Sequence, residues 1–215
     1  NISMKAYKLA IFDLDGTLWD SSRECTEAWN ECIRTQTDFK KQITIEDMHG
    51  FMGKTIDVIA ALMFPTLPQD EQIRILKLCT AYERVYLRNH KVQLYPQEQK
   101  TLEELAKTYK LGIVSNCQDG YIQLYLDQCG FSNLFCDFEC AGKNGKSKGQ
   151  NIRLLMERQG ITDCIYVGDT QGDCDAAEEA GVPFVHAAYG FGTANTSAAV
   201  LYQFASLSEI VSELL

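Results

Sequence analysis

The stretch richest in chemistry is Lys8-Leu9-Ala10-Ile11-Phe12-Asp13-Leu14-Asp15-Gly16-Thr17. An apolar run of β-forming residues ends there in two aspartates, a glycine and a threonine. In an extended chain, side chains two apart share a side, so Asp13 and Asp15 are expected to project together. Two adjacent like charges are unfavourable unless a cation or a shared proton relieves them. Gly16 permits a sharp turn and lets a ligand approach the backbone closely. The local reading is a cation site with two carboxylates and room for an anion.

The elements that would position such a site follow from periodicity. After Thr17 the pattern is helical. Ser21 and Glu24 offer a capping box, and Cys25, Ala28, Trp29, Cys32 and Ile33 recur at helical spacing. A short helix over 44–48 is expected to break around Gly50 and Gly53. The helical period resumes from Ile56 to Phe64. A longer helix over 68–89 is read with Ile73, Leu76, Leu78, Cys79, Tyr82, Tyr86 and Leu87 on its apolar side. Residues 19–90 thus read as an all-helical insertion.

From Leu94 onward helices alternate with strands. Helices are expected over 97–109, 118–129, 149–159, 172–180 and 207–215. Apolar strands are expected over 111–114, 134–140, 164–167 and 182–185. Near-continuous apolar strands between such helices indicate an α/β fold, a Rossmann-like parallel sheet with helices on both faces. Ligands bind beyond the carboxyl ends of strands in such sheets. Three strands end there in polar groups: Asp13 with Asp15, Ser115 with Asn116, and Asp169.

Composition bounds the partners. At 215 residues the chain can bury one sizeable core, and 46% hydrophobic with 23% charged residues is ordinary for a globular protein. A formal net charge of −9 argues against nucleic acid, which demands basic patches. No apolar run approaches the ~20 residues of a membrane helix. The amino end lacks a secretion-signal pattern, and Asn1-Ile2-Ser3 ahead of Met4 is set aside as a candidate expression remnant. The nine cysteines are scattered, with no CxxC pair, which argues for reduced thiols and a cytoplasmic protein. Oligomeric state leaves no signature.

The order Asp13-x-Asp15-Gly16-Thr17, then Ser115-Asn116, then Lys146, then Gly168-Asp169-x-x-x-Asp173 resembles the haloacid dehalogenase-like hydrolase superfamily. The phosphoglycolate phosphatase and β-phosphoglucomutase branch, with its small helical cap, is the nearest in pattern. The resemblance implies an α/β core over 1–18 and 91–215 and a cap over 19–90. It implies Asp13 as the nucleophile, forming an aspartyl-phosphate. Asp15 would protonate the leaving oxygen and later activate water, which requires a raised pKa. Magnesium would suit Asp13, the Asp15 main-chain carbonyl and Asp169, with Asp173 holding a metal-bound water or bracing the loop. Ser115 and Asn116 would donate to the phosphoryl oxygens, and Gly16 and Thr17 belong to the same phosphate-binding turn.

The lysine has several candidates, since Lys143, Lys146 and Lys148 share a Gly-rich loop. The family pattern is lysine-proline-x-proline before a helix, and both prolines are missing here. Alignment to the helix ending in Glu157-Arg158-Gln159-Gly160 picks Lys146, with Lys148 the alternative. In the cap, Lys54 beside Gly53 could contact a second anionic group on the substrate. Cys117 reads as a bystander near the pocket.

The expected activity is magnesium-dependent hydrolysis of a small, phosphoglycolate-like phosphomonoester, with the cap opening and closing. Asp15 disfavours dehalogenases, which lack such an acid, and phosphonate-cleaving relatives, which place alanine there. A β-phosphoglucomutase-type mutase shares the core, although Thr17 stands where mutases usually carry valine. Pyrophosphate or nucleotide hydrolysis is a further alternative, and a non-catalytic phosphate-binding regulator is the reading from another class.

Overall fold

The computed structural model describes residues 8–215, so the expected remnant at Asn1–Ser3 lies outside the described residues. Strand β1 (Leu9–Phe12) is fully buried, as a central parallel strand must be. Leu9 and Ile11 join one apolar cluster while Ala10 and Phe12 join the other, so the two-residue period feeds both faces of the sheet.

Four helices follow before the next strand: α1 (Ser22–Gln36), α2 (Ile45–Phe51), α3 (Ile56–Met63) and α4 (Gln69–Asn89). They pack on one another as a helical cap inserted after β1. Then come α5 (Glu98–Ala106), β2 (Lys110–Ser115), α6 (Tyr121–Cys129), β3 (Phe135–Cys140), α7 (Ala141–Asn144), α8 (Lys148–Gln159) and β4 (Cys164–Gly168). The chain closes with α9 (Gln171–Ala180), β5 (Phe184–Ala187), β6 (Ala199–Leu201), a short 3-10 turn and α10 (Leu207–Leu214).

All six strands are parallel in the order β3-β2-β1-β4-β5-β6. The first three strands run outward from β1 and the fourth returns to its other side. The strand order therefore reverses between β1 and β4, the crevice where open α/β sheets hold ligands. Phe12 is level with Ile113 of β2 and Val167 of β4. Residues just beyond those three reach one edge together. Helices α8 and α9 cover one face through Ile152, Leu155, Ala176 and Ala177, and α5, α6 and α10 cover the other.

Several local expectations change. Ser21 makes no capping bond at α1; Asp20 accepts the Ser22 N–H instead, at 3.0 Å. Gly50 lies inside α2, and the break comes at Gly53 (φ 88°). The buried stripe of α4 is Gln72, Ile75, Leu76, Cys79, Glu83 and Leu87, while Leu78 faces solvent. That stripe keeps strict helical spacing but admits two polar residues. Strand β6 and helix α7 were not expected. All nine cysteines are free, and no helix among the described residues is long and apolar enough to cross a membrane.

Candidate active site

Asp13 directly follows β1, and its N–H still donates to the Val167 carbonyl at 2.9 Å. Its side chain is 2% exposed, with Oδ1 facing Lys148 Nζ at 3.4 Å. Oδ2 is buried without a hydrogen-bond partner. Burial, then the charges of Asp173 and Asp169, push the Asp13 carboxyl well above its ordinary range despite Lys148.

Asp15 lies in the turn that follows β1, which ends at Phe12, and has partners of its own. Its Oδ1 accepts from Trp19 Nε1 at 3.0 Å, Ser21 Oγ at 3.0 Å and Tyr121 OH at 2.7 Å. Burial raises its pKa to about 6, against the lowering effect of those three donors. Asp13 and Asp15 line the same cleft but sit in separate environments. That separation is what two carboxylates need to hold different protonation states.

Asp169 follows β4 and is fully buried. Its Oδ1 accepts from Thr17 Oγ1 at 3.1 Å and its Oδ2 from the Phe191 N–H at 2.9 Å. Burial and the neighbouring Asp173 raise it to about 7. Gly16 (φ 83°) and Gly190 press on this carboxylate from two sides, and a Cβ at either would run into it. Gly16 thus makes room for Asp169 here. Thr17 likewise supports Asp169, its hydroxyl being spent there and its carbonyl accepting from Tyr189 OH at 2.7 Å.

Asp173 braces the loop. Thr170 caps α9, and Asp173 Oδ2 accepts from the N–H groups of Asp169 (3.0 Å) and Thr170 (3.1 Å) and from Thr170 Oγ1. Oδ1 accepts from Lys148 Nζ at 2.6 Å and Tyr166 OH at 3.3 Å. Burial alone would raise its pKa, but the Lys148 charge and these donors hold it below the usual carboxylate range. Asp13, Asp169 and Asp173 each bring an oxygen within 4.8 Å of the others, a geometry open to a cation.

The lysine at this cluster is Lys148, not Lys146. Ser147 and Gln150 form a reciprocal capping box, which starts α8 at Lys148 and buries that side chain under the carboxylates. Lys146 is left exposed in the loop before the cap. Burial would discharge Lys148, but Asp13 and Asp173 outweigh it and raise its pKa. Lys148→Ala is expected to lower kcat/KM by about 10²–10³-fold, and Lys146→Ala by less than about twofold, in steady-state phosphate release.

Ser115 ends β2 with 4% exposure, its Oγ accepting from the Cys117 N–H at 3.3 Å. Asn116 Nδ2 donates to the Gly53 carbonyl of the cap at 3.0 Å, and its Oδ1 is buried without a partner. Lys54 is exposed at the cleft rim and donates to the Gly50 carbonyl. Tyr121 and Trp19 hold Asp15, Phe191 holds Asp169 and Tyr166 holds Asp173, roles that the sequence does not assign. His186 brings Nε2 within 3.2 Å of the Asp169 carbonyl.

A polar rim at the switch point of a parallel sheet, under a helical cap, defines a class of hydrolase. Residues 10–187 match the haloacid dehalogenase-like hydrolase family, and the chain belongs to it. It is an enzyme of that family, with the site of a phosphatase. A protein named phosphoglycolate phosphatase from Vibrio parahaemolyticus is 28% identical over 218 residues, covering 95% of this chain and 94% of that one. One of the same name from Aliivibrio fischeri is 27% identical over 196 residues, covering 86% and 85%. A solved haloacid dehalogenase-like family protein from Streptococcus pneumoniae aligns with a TM-score of 0.78 at 21% identity, covering 94% of this chain and 97% of that one. This last likeness is one of fold.

Proposed function

We propose that the chain is a magnesium-dependent phosphatase of a small phosphomonoester, acting through an aspartyl-phosphate on Asp13. The observation that carries this reading is the charge imbalance at the switch point. Three buried carboxylates face one lysine, and Asp13 Oδ2 has no partner. Such a cluster is costly unless a further cation joins it. An all-oxygen donor set suits a hard divalent ion such as magnesium. Asp13 and Asp169 would hold it with the Asp15 main-chain carbonyl. Asp173, whose oxygens already accept from Lys148, Tyr166, Thr170 and two main-chain N–H groups, would act from behind them. The ion would supply charge stabilisation of the transferring phosphoryl group.

The remaining steps belong to the chain's own residues. Asp13 Oδ2, free of hydrogen bonds, attacks phosphorus while Lys148 steadies Oδ1. The leaving oxygen takes its proton from Asp15. Asp15 then accepts a proton from the water that cleaves the aspartyl-phosphate. Ser115 and Asn116 are the side-chain donors for the phosphoryl oxygens. Asn116 also ties the Gly53 carbonyl through one of its two amide hydrogens, so phosphate binding and the cap loop share one amide. His49 of the cap stacks on Phe191 of the core at 4.7 Å, a second contact that cap opening must break.

The substrate is a small phosphorylated molecule, and phosphoglycolate, for which the relatives are named, is the reference ester. Free thiols throughout support a cytoplasmic location. The test is release of 4-nitrophenol from 4-nitrophenyl phosphate with magnesium and with chelator. Turnover only with magnesium is expected, and equal rates in both would sink the metal-dependent reading.

A further inference from the structure

The cleft that holds Asp13 and Asp15 continues into the cap, where its wall is used by none of the phosphoryl chemistry. Trp29, Phe51, Met52, Ile59 and Leu76 make that wall apolar. The Trp29 and Phe51 rings lie nearly parallel, 6.3 Å apart. Among them α4 places one carboxyl group, Glu83, which lines the same cleft and is 7% exposed. Its Oε1 accepts from Trp29 Nε1 at 2.8 Å, so the indole fixes the carboxyl in place. Burial raises its pKa to about 7, with the Asp15 charge adding to the shift.

The cations of this cleft are placed differently. Lys54 is exposed and tied to the Gly50 carbonyl, and Arg84 reaches across to the Asp119 carbonyl of the core. The buried cap wall therefore offers an apolar surface, the Glu83 acid and, next to it in α4, the Arg84 Nε, which is buried without a partner. A substrate carboxylate set against ionised Glu83 would face a like charge and lose its water. A hydroxyl or ammonium hydrogen would find a fixed acceptor, and an apolar body would cover Trp29 and Phe51.

We propose that Glu83 is a specificity-determining residue: the cleft takes a phosphomonoester whose leaving group lays an apolar body on Trp29 and Phe51 and directs a hydroxyl or ammonium hydrogen to the Glu83 carboxyl. The inference rests on the phosphatase reading and narrows the leaving group.

The test uses matched esters on the full chain with magnesium: phenyl phosphate, 4-(hydroxymethyl)phenyl phosphate, 4-(aminomethyl)phenyl phosphate and phosphoglycolate. The wild type is expected to favour the two donor-bearing aryl esters over phenyl phosphate by about tenfold or more in kcat/KM, the discrimination one buried hydrogen bond supplies. Glu83→Ala should bring that ratio to about one. Glu83→Gln, which keeps an acceptor for Trp29, should retain preference for the hydroxyl ester and lose it for the ammonium ester. A melting curve on each variant separates misfolding from altered choice. An equal fall for every ester in a folded Glu83→Ala would mean a structural role only. A wild-type preference for phosphoglycolate over all aryl esters would likewise overturn the proposal. No turnover of any ester by the wild type would instead overturn the phosphatase reading beneath it.

Discussion

Asp13→Asn is expected to abolish phosphate release, on the order of 10⁴-fold or more, while raising the melting temperature in magnesium-free buffer. The loss follows because an amide oxygen is a poor nucleophile and the two-step route has no substitute for Asp13. The gain follows from the charge imbalance. In the folded state burial and two neighbouring aspartates disfavour the ionised Asp13, so its pKa lies above the unfolded value. A group shifted that way contributes stability below its unfolded pKa and loses it as pH rises through the folded one. Asparagine removes the penalty, keeps an acceptor for Lys148, and leaves Lys148 paired with Asp173 at 2.6 Å. Roughly 1–2 kcal/mol is a reasonable scale for relieving one such strain. At about 2–4 °C per kcal/mol for a chain of this size, the shift is measurable by thermal denaturation. It should grow from pH 5 to pH 8. Added magnesium should reverse the order, stabilising the wild type by binding its folded state while leaving the variant nearly unmoved. A variant that melts lower than the wild type without magnesium would contradict the charge argument, and retained turnover would contradict the nucleophile assignment.

The fold was legible because its signals are local. Apolar strands such as Ile113-Val114 and Ile165-Tyr166-Val167 announce a buried parallel sheet, and the polar residues that end them mark its functional edge. What could not be read was tertiary. Asp13 and Asp15 line one cleft, as their two-residue spacing suggests, yet β1 stops at Phe12 and each carboxyl finds different partners. Ser21 read as a helix cap, and its hydroxyl serves Asp15 instead. Glu83 had no place on the apolar side read for α4, since charge on an amphipathic helix normally faces water. The spacing 72-76-79-83 was visible in the sequence, but only packing against Trp29 turns that stripe inward.

The lysine is a different kind of error, because the correcting signal was local as well. Ser147-Lys148-Gly149-Gln150 is a capping-box pattern, and it begins the helix at Lys148 without help from the missing prolines. Family alignment through the far end of the helix placed the choice two residues early. Rigidity that proline would give the loop comes instead from Ser147, whose Oγ accepts from the Gln150 N–H at 3.1 Å and donates to Glu179 at 2.9 Å.

Asp15→Asn should separate the two chemical steps that Asp13→Asn abolishes together. An alkyl phosphate needs its leaving oxygen protonated, so loss of the acid should cost about 10²–10⁴-fold in kcat. The 4-nitrophenolate ion is stable at neutral pH and leaves without that proton. With 4-nitrophenyl phosphate the variant should therefore release about one equivalent of nitrophenolate in a burst, then stall, because the base that activates water is gone. The trapped aspartyl-phosphate should be detectable on Asp13 by mass. The wild type adds a pH signature. Asp15 is held at about 6, and a proton donor must be protonated to act. So kcat/KM for an alkyl ester should fall as pH rises above 6, while the nitrophenyl ester shows no such limb. Tyr121, which gives Asp15 its shortest hydrogen bond at 2.7 Å, favours the ionised form. Tyr121→Phe should then raise the Asp15 pKa and move that limb upward. If Asp15→Asn slows both esters alike with no burst, Asp15 holds the site together and the proton comes from elsewhere.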